Sequence, residues 1–388
     1  MQQKKSTRNP RKDNPLTPMR IAFMFCGSLT AAWSVSDGIA MELERAGHQV
    51  LWMPRGRPGA TPATLEILNG ADLIIVSGPE HIFGPQISSN GARRESEYSF
   101  GENEITMYEW RHSLKVPKLF WYHESNRRED RTFGFEDFLS YGDYHFFPAI
   151  QDAETYDQAH FSAGRSFWLQ FGVDTHVFKP TPCTECFRDD MWRIPLEAKG
   201  HCPKCLGSRI VENVKTIPSG FIGMLYPKRI GFVNAFATRM KQGRDPAFCI
   251  GRVQIMDIEG TPYLETAERV AMNYRKIGVF VNLPHYSELM VTKVYEVMAC
   301  GTLILTPMLE GPSERNLEPF KHCQHLVYYK PSNLPFLVQT IREFHEREEQ
   351  REKIALAGMV EVREKHSLKV RVEEMFRLAK VPKEKVSA

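Results

Sequence analysis

Short apolar runs alternate with helical stretches along this chain, and the alternation starts twice. Residues 20–26 read Arg-Ile-Ala-Phe-Met-Phe-Cys, a buried strand. Gly27-Ser28 makes a tight turn. A helix over 34–46 follows, with Ser36 or Asp37 as early capping residues and Gly47 as its stop. Further strands are expected over 48–53, 71–77, 118–122 and 143–147. The pattern restarts with strands at 229–233, 247–251, 277–283, 302–306 and 325–328, and helices at 261–275 and 291–300. Three charged helices close the chain, over 335–345, 349–365 and 368–379, where Leu368, Val372, Met375 and Ala379 recur at three- and four-residue steps. Strand–helix alternation of this kind specifies a parallel, doubly wound sheet, which takes ligands at the carboxyl ends of its strands. The expected fold class is therefore α/β, with two Rossmann-like domains facing across a cleft, over 19–180 and 216–379.

Between the two halves, over 181–215, stand Cys183-Thr-Glu-Cys186 and, after fifteen residues, Cys202-Pro-Lys-Cys205. Two C-x2-C knuckles at this separation bring four thiolates together tetrahedrally on Zn(II), as in a zinc ribbon. The residues between the knuckles are too few for a hydrophobic core, so the metal would supply the folding energy. Two redox pairs or two disulfides are the alternatives; a cytosolic-looking chain argues against disulfides. His201 abuts Cys202 as a neighbour of the site or a surface residue. Of the remaining cysteines, Cys26, Cys249 and Cys300 sit in apolar contexts and read as small buried hydrophobes.

Composition closes off several classes. Of 388 residues, 42% are hydrophobic and 25% charged, ordinary for a globular protein. No apolar run approaches the ~20 residues that span a bilayer. The polar, basic stretch 1–18 has no apolar core of a secretory signal, so the expected compartment is cytoplasmic. That stretch supplies +4 of the net +3, leaving −1 for the rest, so the body is not a polycationic nucleic-acid binder. The stretch itself reads as a solvated, disordered tail or as an arm touching a polyanion. Residues 84–113 break the rhythm, and 85–101, rich in Gly, Ser, Asn, Arg and Glu, read as a long loop, either an acceptor lid or a surface insertion.

The chemistry concentrates in residues 284–307. Val291, Val294, Tyr295 and Met298 form one buried helical stripe, with Lys293 and Glu296 opposite. Gly301 ends the helix and a strand begins at once. Glu288 precedes the helix, eight positions before Glu296. Unpaired N–H groups at a helix start suit a phosphate. A carboxylate one turn in can chelate the two vicinal hydroxyls of a ribose. One in the preceding loop can reach a sugar beyond the phosphates.

Glu288-x7-Glu296, followed by Ala-Cys-Gly and an apolar strand, resembles the donor-site motif of retaining glycosyltransferases with two Rossmann domains, the GT-B fold. The wording Lys-Val-Tyr-Glu-Val-Met-Ala-Cys-Gly-Thr-Leu-Ile-Leu-Thr is most similar to the group-1 subgroup that includes the spore-maturation-type proteins. Phe171-Gly-Val-Asp-Thr-His-Val-Phe-Lys-Pro180 resembles the end of that superfamily's first domain. Arg229-Ile-Gly-Phe-Val resembles the opening strand of its second, and Glu364–Arg371 its closing helices. The resemblance spans about 170–375. It implies a nucleotide-sugar donor, with Glu296 on the ribose, Glu288 on the transferred sugar and Lys293 as a phosphate contact. Arg239, Lys241 and Arg252 are candidates for the family's basic phosphate pair. Gly27-Ser28 stands where the family has a Gly-rich phosphate loop, and His123, after a strand, where it often places a His near the sugar. It further implies a leaving diphosphate neutralised by basic side chains and a helix terminus rather than by Mg(II); no Asp-x-Asp motif lies near either expected site. The acceptor is open, a macromolecule such as nucleic acid included, and the ribbon reads as its selector or as a clip on the linker. Two rivals remain: a non-catalytic nucleic-acid-binding protein using ribbon and tail, and a sugar-nucleotide epimerase or hydrolase of the same fold.

Overall fold

A computed structural model describes residues 18–26, 35–55, 61–83, 104–123, 139–158, 164–181, 215–223, 227–242, 248–251, 263–284 and 289–381. Two all-parallel sheets organise them. The first is built from β1 (Arg20–Cys26), α1 (Val35–Arg45), β2 (Gln49–Arg55), α2 (Leu65–Asn69), β3 (Leu73–Ser77), α3 (Pro79–Ile82), α4 (Met107–His112), β4 (Lys118–Trp121), β5 (Tyr144–Phe147), α5 (Ile150–Asp157) and β6 (Ser166–Trp168). Its strand order is β2-β1-β3-β4-β5-β6, with Phe23 facing Trp52 on one side and Ile75 on the other. Alternation along β1 sends Ile21, Phe23 and Phe25 into the core on one face, and Ala22 and Met24 into the core on the other. Both faces are covered, so nearly every strand residue is apolar. Each large side chain buried this way stabilises by about 1.5–3 kcal/mol.

The second sheet comes from β7 (Ile217–Ile222), α6 (Pro227–Gln242), β8 (Phe248–Gly251), α7 (Tyr263–Lys276), β9 (Ile277–Val281), α8 (Thr292–Ala299), β10 (Leu303–Pro307) and β11 (Val327–Tyr329), followed by α9 (Leu334–Glu346), α10 (Glu348–Lys365) and α11 (Leu368–Leu378). Its order is β11-β10-β9-β7-β8. In both sheets the first strand lies between the second and the third, so each reverses direction between its first and third strands. Open parallel sheets bind ligands at that switch point.

Two expectations are corrected. Residues 229–233 are not a strand but the first turns of α6, which Pro227 opens; proline suits a first helical turn, where its missing N–H has no partner to lose. The true opening strand, Ile217–Ile222, is interrupted by Pro218 and Gly220 and carries no continuous apolar run. Its neighbour Gly278 is required by close approach, since a Cβ there would stand 2.8 Å from the Pro218 carbonyl oxygen. The stripe expected on the helix at 291–300 is likewise too narrow. From Val294 to Ala299 every residue of α8 is buried, Glu296 included, because β10, α7 and α10 close around it.

The chain crosses back at its end. Leu368, Val372, Met375 and Phe376 of α11 share a core with Ile21, Phe23 and Trp121 of the first sheet. At the crossing, Val173 pairs with Ser367, and the buried Arg371 donates Nε to the Phe171 carbonyl (3.1 Å). Asp174, beside it, accepts both terminal nitrogens of Arg45 (3.1 and 3.2 Å). The tail 1–17, the loop 85–101, the cysteine pairs and Gly27-Ser28 lie outside the described residues.

Candidate functional site

The carboxyl edge of the second sheet gathers two cations and an acid. Phe221, near the end of β7, is flanked by the Lys293 ammonium, 4.6 Å from the ring centroid, and by the Arg229 guanidinium at 5.1 Å. Arg229, third residue of α6, donates Nε to the Pro284 carbonyl just beyond β9 (3.2 Å). Gly223, directly after β7, has φ +151°, and a Cβ there would collide with the Lys293 ammonium. Three chain segments therefore meet where the sheet reverses. Lys293 stands in the first turn of α8, whose N-cap Val291 offers no side-chain acceptor.

Glu296 lies one turn further in and is 5% exposed. Its Oε2 accepts a hydrogen bond from the Tyr274 hydroxyl of α7 (3.0 Å); Oε1 has no hydrogen-bond partner among the described residues. Burial raises the Glu296 carboxyl, with Lys293 and the Tyr274 bond opposing. Burial lowers the Lys293 ammonium, and Arg229 lowers it further. Two cations so close, one of them reluctant to stay charged, are a place for an anion. Next to them, Asn282 donates to the Thr306 hydroxyl (2.9 Å) and accepts at its carbonyl from Tyr329 (2.7 Å), which ties together the ends of three strands.

The carboxyl edge of the first sheet holds His123 just beyond β4, half-buried. Its Nε2 is 2.8 Å from Ser77 Oγ, which is 2.9 Å from Ser36 Oγ. Its backbone N donates to Glu80 (2.7 Å). Burial first, then His81, lowers the imidazole to about 3. The two edges face one another through a short helical turn after β10. Asn316, fully buried, accepts from the Ile150 amide (2.9 Å), donates to Gln151 (3.1 Å) and takes Gln170 on its carbonyl (3.1 Å). Arg315 pairs with Glu154 through both carboxylate oxygens (2.8 and 2.9 Å).

Of the residues singled out in the sequence, Lys293 and Glu296 are brought to one edge and His123 to the other. Arg239 lies on α6, about 15 Å beyond Arg229 at 1.5 Å per residue, and is exposed. Lys241 belongs to the last turn of the same helix. Glu288, Arg252, Gly27, Ser28 and the four cysteines lie outside the described residues. Among the described residues no group of three or more His, Cys, Asp or Glu could hold a metal ion. Also among them, no helix is long and apolar enough to cross a membrane. Sequence reasoning missed Arg229, because residues 229–233 read as strand, and Tyr274, whose bond to Glu296 spans two helices; Pro227 was the available signal for the first.

Residues 250–377 match the family described as Glycosyl transferase-like. No curated protein matches the chain. Among solved structures, a sucrose-phosphate synthase from Thermosynechococcus elongatus is 14% identical, with 93% of this chain and 98% of that one covered at a TM-score of 0.55. Anabaena HepE, solved with UDP-glucose, is 12% identical over 94% of this chain and 100% of that one, at 0.58. An alpha-glucosyltransferase solved with UDP and a 13-mer DNA is 12% identical over 94% and 99%, also at 0.58. The fold is that of the GT-B glycosyltransferases, and the match to a glycosyltransferase family model falls in the second half of the chain.

Proposed function

We propose that the protein moves a hexosyl group, glucosyl in the first instance, from a UDP-sugar to an acceptor with retention at the anomeric carbon, as a transferase of the spore-maturation type. The observation that carries this reading is the convergence of Arg229, Lys293 and Glu296 on the carboxyl edge of the second sheet. UDP-glucose bound to Anabaena HepE and UDP bound to the alpha-glucosyltransferase support the choice of donor.

In this reading Arg229 and Lys293 neutralise the diphosphate as it leaves, which is where charge develops. Glu296, held at Oε2 by Tyr274, offers Oε1 to the ribose hydroxyls. Glu288 takes hydroxyls of the transferred sugar, and His123 approaches the sugar from the first half. The bond between the anomeric carbon and the diphosphate oxygen breaks, and a bond to the acceptor oxygen forms on the same face. The acceptor's proton passes to the departing phosphate, so no carboxylate base is demanded. Closure of the halves excludes water.

Calorimetry and slow donor hydrolysis with UDP-, GDP- and ADP-glucose test the reading. Binding and hydrolysis of UDP-glucose, both abolished by Glu296→Ala, are expected; interconversion of the donor sugar, or no donor binding at all, overturns it.

Cys183, Cys186, Cys202 and Cys205 form a four-thiolate donor set suited to one structural Zn(II). In this reading the segment that carries them, between the two halves in sequence, selects a macromolecular acceptor, nucleic acid among the possibilities. Metal analysis should find one zinc per chain, lost with Cys202→Ser and Cys205→Ser together. Zinc-free protein of full stability overturns this assignment.

A further inference from the structure

At the edge of the first sheet, a chain of hydroxyls stands behind His123 with no part in the steps above. Ser77 is the last residue of β3 and 1% exposed; Ser36, in the first turn of α1, is 3% exposed. Ser36 Oγ and Ser77 Oγ are 2.9 Å apart, and Ser77 Oγ and His123 Nε2 are 2.8 Å apart. The backbone around the ring is fixed too. Gly78 takes a left-handed conformation, φ +70°, donates its N–H to the Trp121 carbonyl (2.8 Å) and packs against the imidazole, so that a Cβ there would stand 3.3 Å from Nδ1. Glu80 accepts the His123 N–H. Phe171, from the crossing between halves, meets the ring edge-on at 6.2 Å. Nε2 is thus committed to Ser77, while Nδ1 has no partner among the described residues.

We propose that Ser77, backed by Ser36, is a positioning residue that fixes the orientation and the tautomer of His123 toward the sugar. The proposal rests on the reading that His123 meets the transferred group. An imidazole carries two different nitrogens, and the bond made by one decides whether the other is a donor or an acceptor. The ring stays neutral at pH 7, its basicity depressed by burial, so there is one proton to place. Ser77, with a partner on each side, couples the two bonds: it donates to Nε2 while accepting from Ser36, or does both in reverse, so one direction of the chain goes with one tautomer. A serine that only filled space could be replaced by alanine without moving that proton.

The test combines nitrogen-15 NMR of the histidine rings with UDP release from UDP-glucose. The His123 signals are those missing from His123→Gln. In the parent protein they should show a single tautomer. Ser77→Ala should average the two ring nitrogens and lower kcat about a hundredfold, the usual cost of a misplaced group, with the Kd for UDP-glucose within about twofold. Ser77→Thr, which keeps the hydroxyl, should restore both; Ser36→Ala should move both in the same direction by less. Thermal melting confirms that each variant is folded. An unchanged tautomer in Ser77→Ala, or Ser77→Thr behaving as Ser77→Ala does, overturns the proposal. His123→Gln turning over at the parent rate also overturns it while leaving the donor site intact. If the parent protein binds no UDP-glucose, the transfer reading fails instead, and the tautomer signals alone decide what Ser77 does.

Discussion

The Tyr274 hydroxyl donates to Glu296 Oε2 across 3.0 Å, and the bond ties α7 to α8 at the edge of the second sheet. Both partners are buried, so the acid is aimed rather than free. Tyr274 also packs against Phe178 and Phe280, which holds the ring whether or not the hydroxyl is there.

Tyr274→Phe therefore isolates the bond. A hydrogen bond to a charged group contributes about 1.5–3 kcal/mol, so the Kd for UDP should rise about tenfold or more, with the ring packing unchanged. Calorimetry on UDP measures it. A Kd equal to that of the parent protein would mean that Glu296 does not grip the nucleotide.

Lys293 and Arg229 make the second prediction. If they hold the diphosphate, Lys293→Met should weaken UDP by roughly tenfold to a hundredfold, as loss of a charge-assisted bond does, and leave the weak binding of uridine unchanged. Gly223→Ala should do the same without removing a charge, because the added methyl collides with the Lys293 ammonium and alanine resists φ +151°. Equal losses for UDP and uridine would place the cations away from the phosphates.

Much of this fold is legible without coordinates, for a physical reason. Strands covered on both faces read as near-continuous apolar runs, as in Leu-Ile-Ile-Val of Leu73–Ser77 and Leu-Ile-Leu of Leu303–Pro307. The helix carrying Lys293 and Glu296 announces itself by its apolar steps and by Gly301. Ile217–Ile222 escapes because Pro218 and Gly220 break its pattern while neighbouring strands still accept it. Arg229 escapes with it. Tyr274 and Asn316 leave no local trace at all: their partners lie 22 residues away in one case and more than 140 in the other, and only the folded chain brings them together. The crossing of α11 onto the first sheet is hidden for the same reason, since its amphipathic pattern says that a face is buried but not against what.

Asn316 makes the third prediction, because its amide and carbonyl join the two halves. Asn316→Ala leaves the Ile150 N–H without its acceptor and Gln151 Oε1 without its donor, while the Gln170 bond to the main-chain carbonyl survives, at a cost of about 1–3 kcal/mol for each group left buried and unpaired. The melting temperature should fall. Small-angle scattering should show looser halves, and UDP-glucose turnover should drop while UDP affinity holds. A variant with parent-like scattering and turnover would leave the contact without a role in setting the cleft.

His145 makes the fourth. It is 1% exposed, its Nδ1 lies 3.1 Å from the Tyr122 hydroxyl, and burial depresses it from 6.5 to about 4. Between those two values the unfolded chain binds a proton that the folded chain refuses. Stability from the neutral ring is therefore complete above about pH 6.5 and is lost progressively as the pH falls toward 4. His366, 4% exposed and depressed to about 3 by burial and by Arg371, acts in the same direction over a window that reaches lower. The melting temperature should decline steadily from pH 6.5 to pH 4, and His145→Gln, which cannot titrate, should start lower but decline less steeply over that interval. A variant whose melting temperature falls with the same slope as the parent's would show that the acid sensitivity arises elsewhere in the chain.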